Sequence, residues 1–185
     1  MKQTEPVPAG NEWIVKSIRD FSGSPVARIA GEWMLVTAAG KEGWNTMTAS
    51  WGSFGELWGK DVAFMFIRES RHTKAFADGA PLFTLSFFDK KYKKALAFCG
   101  DKSGRDYDKA KETGLTPIIF DEKIAGGKAA GVVGFKEASE IIVCKKLYTH
   151  DFDPKAFLDP SIGEGCYPEG DYHTLYIGEA LCMLT

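Results

Sequence analysis

The sequence has little of what marks secreted, membrane-spanning or nucleic-acid-binding proteins. No run approaches the ~20 apolar residues of a membrane span, and the stretch from Met1 to Pro8 has no apolar core like that of a signal peptide. The formal net charge is -2, so no excess of basic residues points to a nucleic acid or a membrane surface. We therefore expect a cytoplasmic protein with neither a nucleic acid nor a membrane among its partners.

Cysteine is also scarce. The four cysteines are Cys99, Cys144, Cys166 and Cys182. They are widely spaced and include no Cys-x-x-Cys pair, which argues against a metal motif. Three of them lie in apolar surroundings, where a cysteine behaves as a small buried hydrophobe. We expect reduced thiols in a reducing compartment.

Several catalytic signatures are absent. The sequence has no Walker lysine loop, no Ser-His-Asp order, no zinc signature and no dinucleotide glycine pattern. The paired carboxylates Asp151 and Asp153 lie in a connection bounded by proline and are interpreted as turn residues. No metal site is expected.

The composition that remains is that of a globular domain. The chain has 185 residues, of which 44% are apolar, with 13 Phe, 6 Tyr and 5 Trp. A chain of this length buries roughly 70% of its unfolded surface as one domain. Residues 1–12 are polar and hold two prolines, which predicts a flexible N-terminal arm before a single domain over residues 13–185.

Six apolar segments predict β-strands with only short helical crossovers between them. These segments are residues 33–39, 46–51, 62–67, 82–88, 138–147 and 172–184. Short helices are predicted after Ser70, over residues 90–99 and after Ser103, whereas the glycines of residues 52–60 predict a loop. The pattern favours a mainly β, antiparallel barrel with short helical insertions over a doubly wound sheet.

The segment from Asn45 to Thr73 carries the candidate binding site. A strand with small hydroxyl residues can offer a flat ligand its backbone groups and small side chains. The candidate contacts on it are Asn45, Thr46, Met47, Thr48, Ala49, Ser50 and Trp51. Trp51 is the best candidate for a ring beside a ligand. The next predicted strand, residues 62–67, runs directly into Arg68, Ser70, Arg71 and Thr73.

Two arginines and two hydroxyls at a strand end form a potential anion pocket. Ser70 is predicted to cap a helix whose first backbone N–H groups attract anions. Arg68 and Arg71 could clamp phosphate oxygens, and Thr73 adds a hydroxyl donor. The alternative is that both arginines are solvated surface residues and that Ser70 only caps its helix. The chemistry that fits the segment is binding of a planar cofactor that bears a phosphate.

Two further places are candidates with open alternatives. Lys102 and Ser103 begin a predicted helix and could provide a second anion contact or the lip of the same pocket. The simpler interpretation of both is a charged turn. His173 begins the last strand beside Tyr172 and could contact a substrate or cofactor, although a lone histidine is more often a structural hydrogen-bonding residue.

Taken together, these motifs resemble the flavin reductase-like, FMN-binding split-barrel family, and within it the flavoredoxin-type members. The resemblance spans nearly everything from about Trp33 onward. Its motifs are NTMTASWG (45–52), RESRHT (68–73), FTLSFF (83–88), CGDKSGRDYDKAKETGLTP (99–117), KKLYTHDFDP (145–154) and YPEGDYHTLYIGE (167–179). Each motif alone is weak, but six in the family's order make a strong resemblance.

The resemblance implies a six-stranded antiparallel split barrel that forms a homodimer, with FMN, favoured over FAD, near the interface. It implies that residues 46–51 run beside the flavin ring and that residues 68–73 hold its phosphate, with Ser86 close by. His173 would lie on the flavin or nicotinamide side, and Lys102 and Ser103 would contribute to the cofactor site. NAD(P)H would be a transient co-substrate, because no Rossmann unit is present to hold it.

Three hypotheses on function follow. The leading one is an FMN-dependent NAD(P)H oxidoreductase that passes electrons to free flavin, ferric complexes or another acceptor, with His173 as its candidate catalytic residue. The second is a flavoredoxin-like electron carrier that receives electrons from a redox protein partner. The third is a barrel without flavin that serves in protein interaction.

Overall fold

The structure, a computed structural model, describes residues 2–10 and 12–185. Most of its strands belong to one antiparallel sheet of eight strands, in the order β4-β3-β7-β10-β11-β6-β5 with β2 added beside β11. A smaller sheet has the order β1-β8-β9. The strands are β1 (Val7–Pro8), β2 (Val15–Lys16), β3 (Met34–Gly40), β4 (Gly43–Ala49), β5 (Gly52–Leu57), β6 (Lys60–Arg68), β7 (Leu82–Phe87), β8 (Pro117–Ile119), β9 (Val133–Phe135), β10 (Glu140–Asp151) and β11 (His173–Leu184).

The prediction of a mainly β, antiparallel protein is confirmed, but the strand count of six is wrong. All six predicted strands are present as β3, β4, β6, β7, β10 and β11. The structure adds β5 to the main sheet, in a stretch that its glycines predicted to be a loop. Gly52 is needed there because a Cβ at this position would lie 2.9 Å from Met34 Cε and 3.0 Å from the Phe64 carbonyl oxygen. The glycine permits close strand packing, and here it does not mark a turn.

The main sheet curls around a buried core. Strand β4, at one edge of the sheet, contacts β6, which lies next to the other edge. The core between them takes side chains from alternate positions of the strands, including Met34, Met47, Met65, Leu85 and Tyr176. Since side chains alternate across a strand, the opposite face of β3 packs under the helices. The curled sheet therefore leaves β4 as an edge strand beside a crowded helical layer.

The helices are short: α1 (Pro25–Ala27), α2 (His72–Gly79), α3 (Lys93–Asp101), α4 (Lys109–Thr113) and α5 (Pro160–Cys166). The prediction that Ser70 caps α2 is wrong, because the capping position is Arg71 and no side chain caps the helix. The helix predicted after Ser103 instead begins at Lys109, capped by Asp108, whose carboxylate accepts from the Lys111 N–H. No helix among residues 2–10 and 12–185 is long and apolar enough to span a membrane.

The N-terminal residues lie against the body of the protein. Gln3 is buried, its side-chain amide donates to the Tyr107 carbonyl oxygen at 2.8 Å, and its side-chain oxygen accepts from the Lys109 N–H at 2.8 Å. Strand β1 pairs in parallel with β8. The segment is thus attached at Gln3 and at β1, although most of its described residues are exposed, and Met1 and Asn11 lie outside the described residues. The division into an arm and a single domain over 13–185 stays a prediction.

Candidate functional site

One cleft brings together most of the predicted site residues. It lies where β4 ends, beside β6 and the first residue of β11, and has a volume of about 210 Å³. Its lining residues are Met47, Thr48, Ala49, Ser50, Trp51, Phe66, Arg68, Arg71 and His173. Of these, Phe66 alone was missed. It lies two residues before Arg68 on β6, so the alternation of side chains along that strand was the signal that could have found it.

The β4 side of the cleft offers mainly backbone groups. The Thr48 hydroxyl donates to the Leu96 carbonyl oxygen of α3, and the Thr46 hydroxyl bonds the Val36 carbonyl oxygen and lies 2.9 Å from the Thr37 hydroxyl. Both hydroxyls are therefore used within the fold. Because β4 is an edge strand, one row of its N–H and C=O groups has no strand partner. The interpretation of a hydroxyl-lined strand changes accordingly: the polar groups that β4 can offer a ligand are Ser50 and the part of its backbone edge that Lys109 does not hold.

Hydrogen bonds on the side away from the cleft tie β4 to the helices. Asn45 donates from its side-chain amide to the Thr73 hydroxyl at 2.9 Å, which ties the strand to α2. Lys109, which sequence reasoning missed, donates to the carbonyl oxygens of Thr46 and Cys99, each at 2.7 Å. Burial lowers the pKa of Lys109 to about 8. Within residues 2–10 and 12–185 its amino group forms no ion pair with a carboxylate, so the two carbonyl oxygens are its partners. Asn45, Thr46 and Thr73 thus lie behind the cleft and do not line it.

The cationic side of the cleft is formed by Arg68 and Arg71. Arg68 donates to the carbonyl oxygens of Cys166 and Asp171, both at 3.0 Å. Arg71 donates to the Gly100 carbonyl oxygen at 2.6 Å. Neither guanidinium forms an ion pair with a carboxylate in the described part of the chain. Since a guanidinium has five N–H donors, each retains donors for an anion in the cleft.

Ser70 binds a carboxylate of the protein itself. Its hydroxyl donates to one carboxylate oxygen of Asp171 at 2.6 Å, and its N–H donates to the other at 3.0 Å. Burial alone would raise the pKa of Asp171, but these two bonds and the charge of Arg68 lower it below its usual value. A carboxylate therefore occupies the donors that were predicted for a phosphate. Ser70 lies at the rim, and the anion-binding groups that remain are the two arginines.

The remaining predicted contacts lie outside the cleft. Ser86 is fully buried on β7 between Leu35 of β3 and Ile141 of β10, and its hydroxyl has no hydrogen-bond partner in the part of the chain that the structure describes. Lys102 follows α3 and pairs with Asp101, while the Ser103 hydroxyl accepts from the Arg105 N–H. The turn that contains Lys102 and Ser103 packs beside the arginine segment.

His173 forms the aromatic wall of the cleft. It is 8% exposed, its ring centroid lies 4.9 Å from that of Trp51, and its Nδ1 lies 2.8 Å from the Tyr167 hydroxyl. Burial and the charge of Arg68 lower its pKa to about 4, against a smaller opposite effect of Asp171. The imidazole is therefore neutral at physiological pH. It can serve as a neutral hydrogen-bonding group but not as a cation.

A larger groove of about 400 Å³ lies near this wall. Its lining combines aromatic and apolar side chains with His150 and two carboxylates, Asp151 and Asp153. The Phe152 ring centroid is 6.4 Å from that of His173. Phe152 lines the groove and His173 lines the cleft, so these two rings lie between them. The groove has no arginine or lysine in its lining. The smaller cleft is therefore the better candidate for a ligand that carries an anionic group.

Structural comparison places this arrangement among known folds. A flavoredoxin from Methanosarcina acetivorans matches over 82% of this chain and 67% of its own, with 17% identity and a TM-score of 0.61. An FMN-binding protein from Thermus thermophilus, solved with bound 1-cyclohex-2-enone, matches over 99% and 78%, with 18% identity and a TM-score of 0.61. An NADH:FAD oxidoreductase from Streptomyces globisporus matches over 82% and 73%, with 16% identity and a TM-score of 0.58.

The fold is that of the FMN-binding split barrels. The resemblance drawn from the sequence motifs is thereby confirmed at the level of the fold. No protein-family model matches the sequence, and no curated protein matches it. The split-barrel architecture places the cleft at an edge strand, but the identities are too low to carry the activity of any of these proteins over to this chain.

Proposed function

We propose that the protein is an FMN-binding oxidoreductase that takes electrons from NAD(P)H and passes them to free flavin, a ferric complex or another acceptor. The observation that carries this proposal is the cleft itself. It combines the backbone edge of β4, two arginines that form no ion pair within the described residues and the Trp51–His173 wall. The fold is shared with proteins described as FMN-binding and as an NADH:FAD oxidoreductase.

The groups in the cleft fit the parts of FMN. The unpaired N–H and C=O groups of β4 suit the polar edge of a flavin ring, since such a ring has both donors and acceptors along one side. Arg68 and Arg71 suit the terminal phosphate, because guanidinium groups bind phosphate through paired hydrogen bonds. FMN is favoured over FAD because the cationic side of the cleft offers two guanidinium groups for one phosphate.

A bound flavin supplies the redox chemistry, accepting electrons from a nicotinamide and delivering them to an acceptor. The residues of this chain bind and orient it. The edge of β4 fixes the ring plane, and the arginines hold the phosphate end. The neutral His173 and the indole of Trp51 exclude water from one side of the cleft. NAD(P)H would bind transiently, since the chain has no Rossmann unit to retain it.

The homodimer is proposed on the size of the cleft. Ligand sites for molecules of drug size generally enclose about 300–1,000 Å³, whereas this cleft holds about 210 Å³. One chain therefore encloses only part of a flavin. A second copy packed against the mouth, where Trp51 is 43% exposed, would close the site and place the flavin near the interface.

An electron carrier is the second candidate. The match to a flavoredoxin favours it, as does the exposure of Trp51 at the mouth, where a redox protein could approach. A carrier should hold FMN tightly, oxidise NAD(P)H slowly and be reduced quickly by a ferredoxin-like donor.

The deciding experiment is the visible absorption spectrum of the purified protein, followed by anaerobic addition of NADH and NADPH. We expect a flavin spectrum, from bound or added FMN, that bleaches within seconds with one nucleotide. A flavin spectrum that bleaches only with reduced ferredoxin would replace the reductase with the carrier. A protein that binds no FMN in titration would contradict both and favour a barrel that acts in protein interaction.

A further inference from the structure

A buried tyrosine lies directly behind His173. Tyr167 follows α5 and is 4% exposed. Its hydroxyl oxygen is 2.8 Å from His173 Nδ1, and both groups are buried. Within the described residues the His173 ring makes no other hydrogen bond to the protein. The structure therefore leaves Nε2 as the ring nitrogen available to a ligand in the cleft.

Tyr167 is itself held from several sides. The Arg68 guanidinium lies 4.9 Å from the centroid of its ring, and Arg68 also donates to the carbonyl oxygen of the preceding residue, Cys166. Tyr172 stacks on the Tyr167 ring with centroids 4.7 Å apart. The ring thus has little freedom to move, so the direction of its hydroxyl towards His173 is built into the fold.

The direction of the hydrogen bond between Tyr167 and His173 follows from counting the donors and acceptors of the two side chains. A neutral imidazole has one N–H and one acceptor nitrogen. If Nδ1 carried the hydrogen, it would donate to Tyr167 and leave the phenol O–H buried without an acceptor, which is costly. If the phenol donates to Nδ1, the phenol O–H and Nδ1 are both satisfied, and the remaining ring N–H is on the nitrogen that is available to water or a ligand in the cleft. The hydrogen of His173 is then on Nε2.

We propose that Tyr167 is a positioning residue that holds His173 as the neutral Nε2–H form, so that the cleft is offered a neutral hydrogen-bond donor. This inference rests on the proposed function for its purpose. A neutral donor can bind a carbonyl oxygen of a flavin or nicotinamide without adding a third positive charge beside Arg68 and Arg71.

The charges around His173 are consistent with this arrangement. Arg68 faces it from β6 and Arg71 from the start of α2, and both disfavour a protonated ring, while Asp171 from the preceding turn favours one. Burial and the charges of the two arginines lower the pKa of His173 to about 4, and the charge of Asp171 acts against them. The hydrogen bond from Tyr167 acts in the same direction, since it stabilises the neutral ring.

The test uses ¹⁵N-histidine-labelled protein without flavin or nucleotide. Long-range ¹H–¹⁵N spectra distinguish the two tautomers, and comparison with His173→Gln assigns the His173 signals among the three histidines. In the unmodified protein we expect hydrogen on Nε2 and a hydrogen-bonded Nδ1, with no titration between pH 5 and 8. Hydrogen on Nδ1 in the unmodified protein would overturn the proposal without any variant.

Tyr167→Phe keeps the ring, its stacking and its contact with Arg68, but removes the hydroxyl. We expect the Nδ1 signal to move to that of an unbonded nitrogen and the pKa of His173 to rise by about one unit. Tyr172→Phe is the matched control, because the Tyr172 hydroxyl makes no hydrogen bond among residues 2–10 and 12–185, and it should leave both signals unchanged. An unaltered Nδ1 shift and pKa in Tyr167→Phe would reject the role of Tyr167.

A separate FMN titration keeps this result distinct from the proposed function. If the unmodified protein binds no FMN but the tautomer responds to Tyr167→Phe, the hydrogen bond stands and the flavin assignment fails. If FMN binds but the tautomer does not respond to Tyr167→Phe, the flavin assignment stands and the role of Tyr167 fails.

Discussion

At the residue scale, Arg71 is the side chain on which flavin binding should depend most directly. Arg68 has two N–H groups bonded to the carbonyl oxygens of Cys166 and Asp171, so it is partly committed to the fold. Arg71 has one, to Gly100. More of its donors are therefore free for an anion, and its removal should affect binding more than folding.

We expect Arg71→Ala to weaken FMN binding by ~1–3 kcal/mol, the usual cost of losing a hydrogen bond to a charged group, which is roughly a 5- to 150-fold rise in Kd. Quenching of flavin fluorescence during titration measures this change. Arg19→Ala is the control, since Arg19 forms an exposed ion pair with Asp61 away from the cleft, and its Kd should not change. Equal Kd values for Arg71→Ala and the unmodified protein would place the phosphate elsewhere.

At the element scale, the last turn of α3 and the turn that follows it are pressed against β4. A Cβ on Gly104, in the following turn, would lie 2.1 Å from the side-chain oxygen of Asn45, and one on Gly100, in α3, would lie 3.2 Å from Thr48 Cβ. The two glycines let the end of α3 and the following turn approach the strand closely, so that Arg71 can reach the Gly100 carbonyl oxygen. Sequence patterns treated this segment as a charged turn, whereas its main feature is the contact with β4.

Gly104→Ala should therefore destabilise the protein by about 1–3 kcal/mol, because the buried Asn45 must move and weaken its bond to Thr73. The free energy of unfolding in urea measures this effect. Gly79→Ala is the matched control, since nothing lies within 4 Å of a Cβ there and alanine is favoured over glycine in a helix. We expect the control to be neutral or slightly stabilising; equal stability of the two variants would contradict the close approach.

At the scale of the whole molecule, exposed aromatic residues lie at the mouth of the cleft and in the turn between β5 and β6, next to Tyr148 of β10. Trp51, Trp58 and Tyr148 are 43%, 58% and 43% exposed, and the Trp58 and Tyr148 rings are 6.4 Å apart. Exposed rings of this size in one region are typical of a protein interface. This surface is the one that a second copy would cover in the proposed homodimer.

Light scattering coupled to size-exclusion chromatography should give twice the chain mass of 20.4 kDa. Trp58→Glu should shift the protein towards the monomer and weaken FMN binding, because a charge would be buried at the interface. Ile14→Glu introduces the same charge at a residue that is 60% exposed beside the C-terminal Thr185, and it should leave the dimer intact. A monomer in the unmodified protein with FMN present would rule the homodimer out.

The sequence by itself determined the parts of the protein that depend on neighbouring residues. Six strands follow from apolar runs with turn residues between them, and all six are present. Cys99, Cys144 and Cys182 are buried and free, as apolar surroundings predicted. Arg68 and His173 meet in one cleft because the end of β6 pairs with the start of β11, whereas Met47 of β4 reaches the same cleft because the sheet curls.

Only the tertiary structure decided which polar groups in that cleft remain free. Asp171 binds Ser70 across 101 residues of chain, and Lys109 supports Thr46 across 63. The local periodicity of apolar residues does not indicate such contacts, because they form only when the sheet has curled and distant turns meet. The same holds for Gly52, whose strand depends on the space beside Met34. Composition and periodicity report local conformation, whereas the partner of a buried polar group is set by which elements pack together.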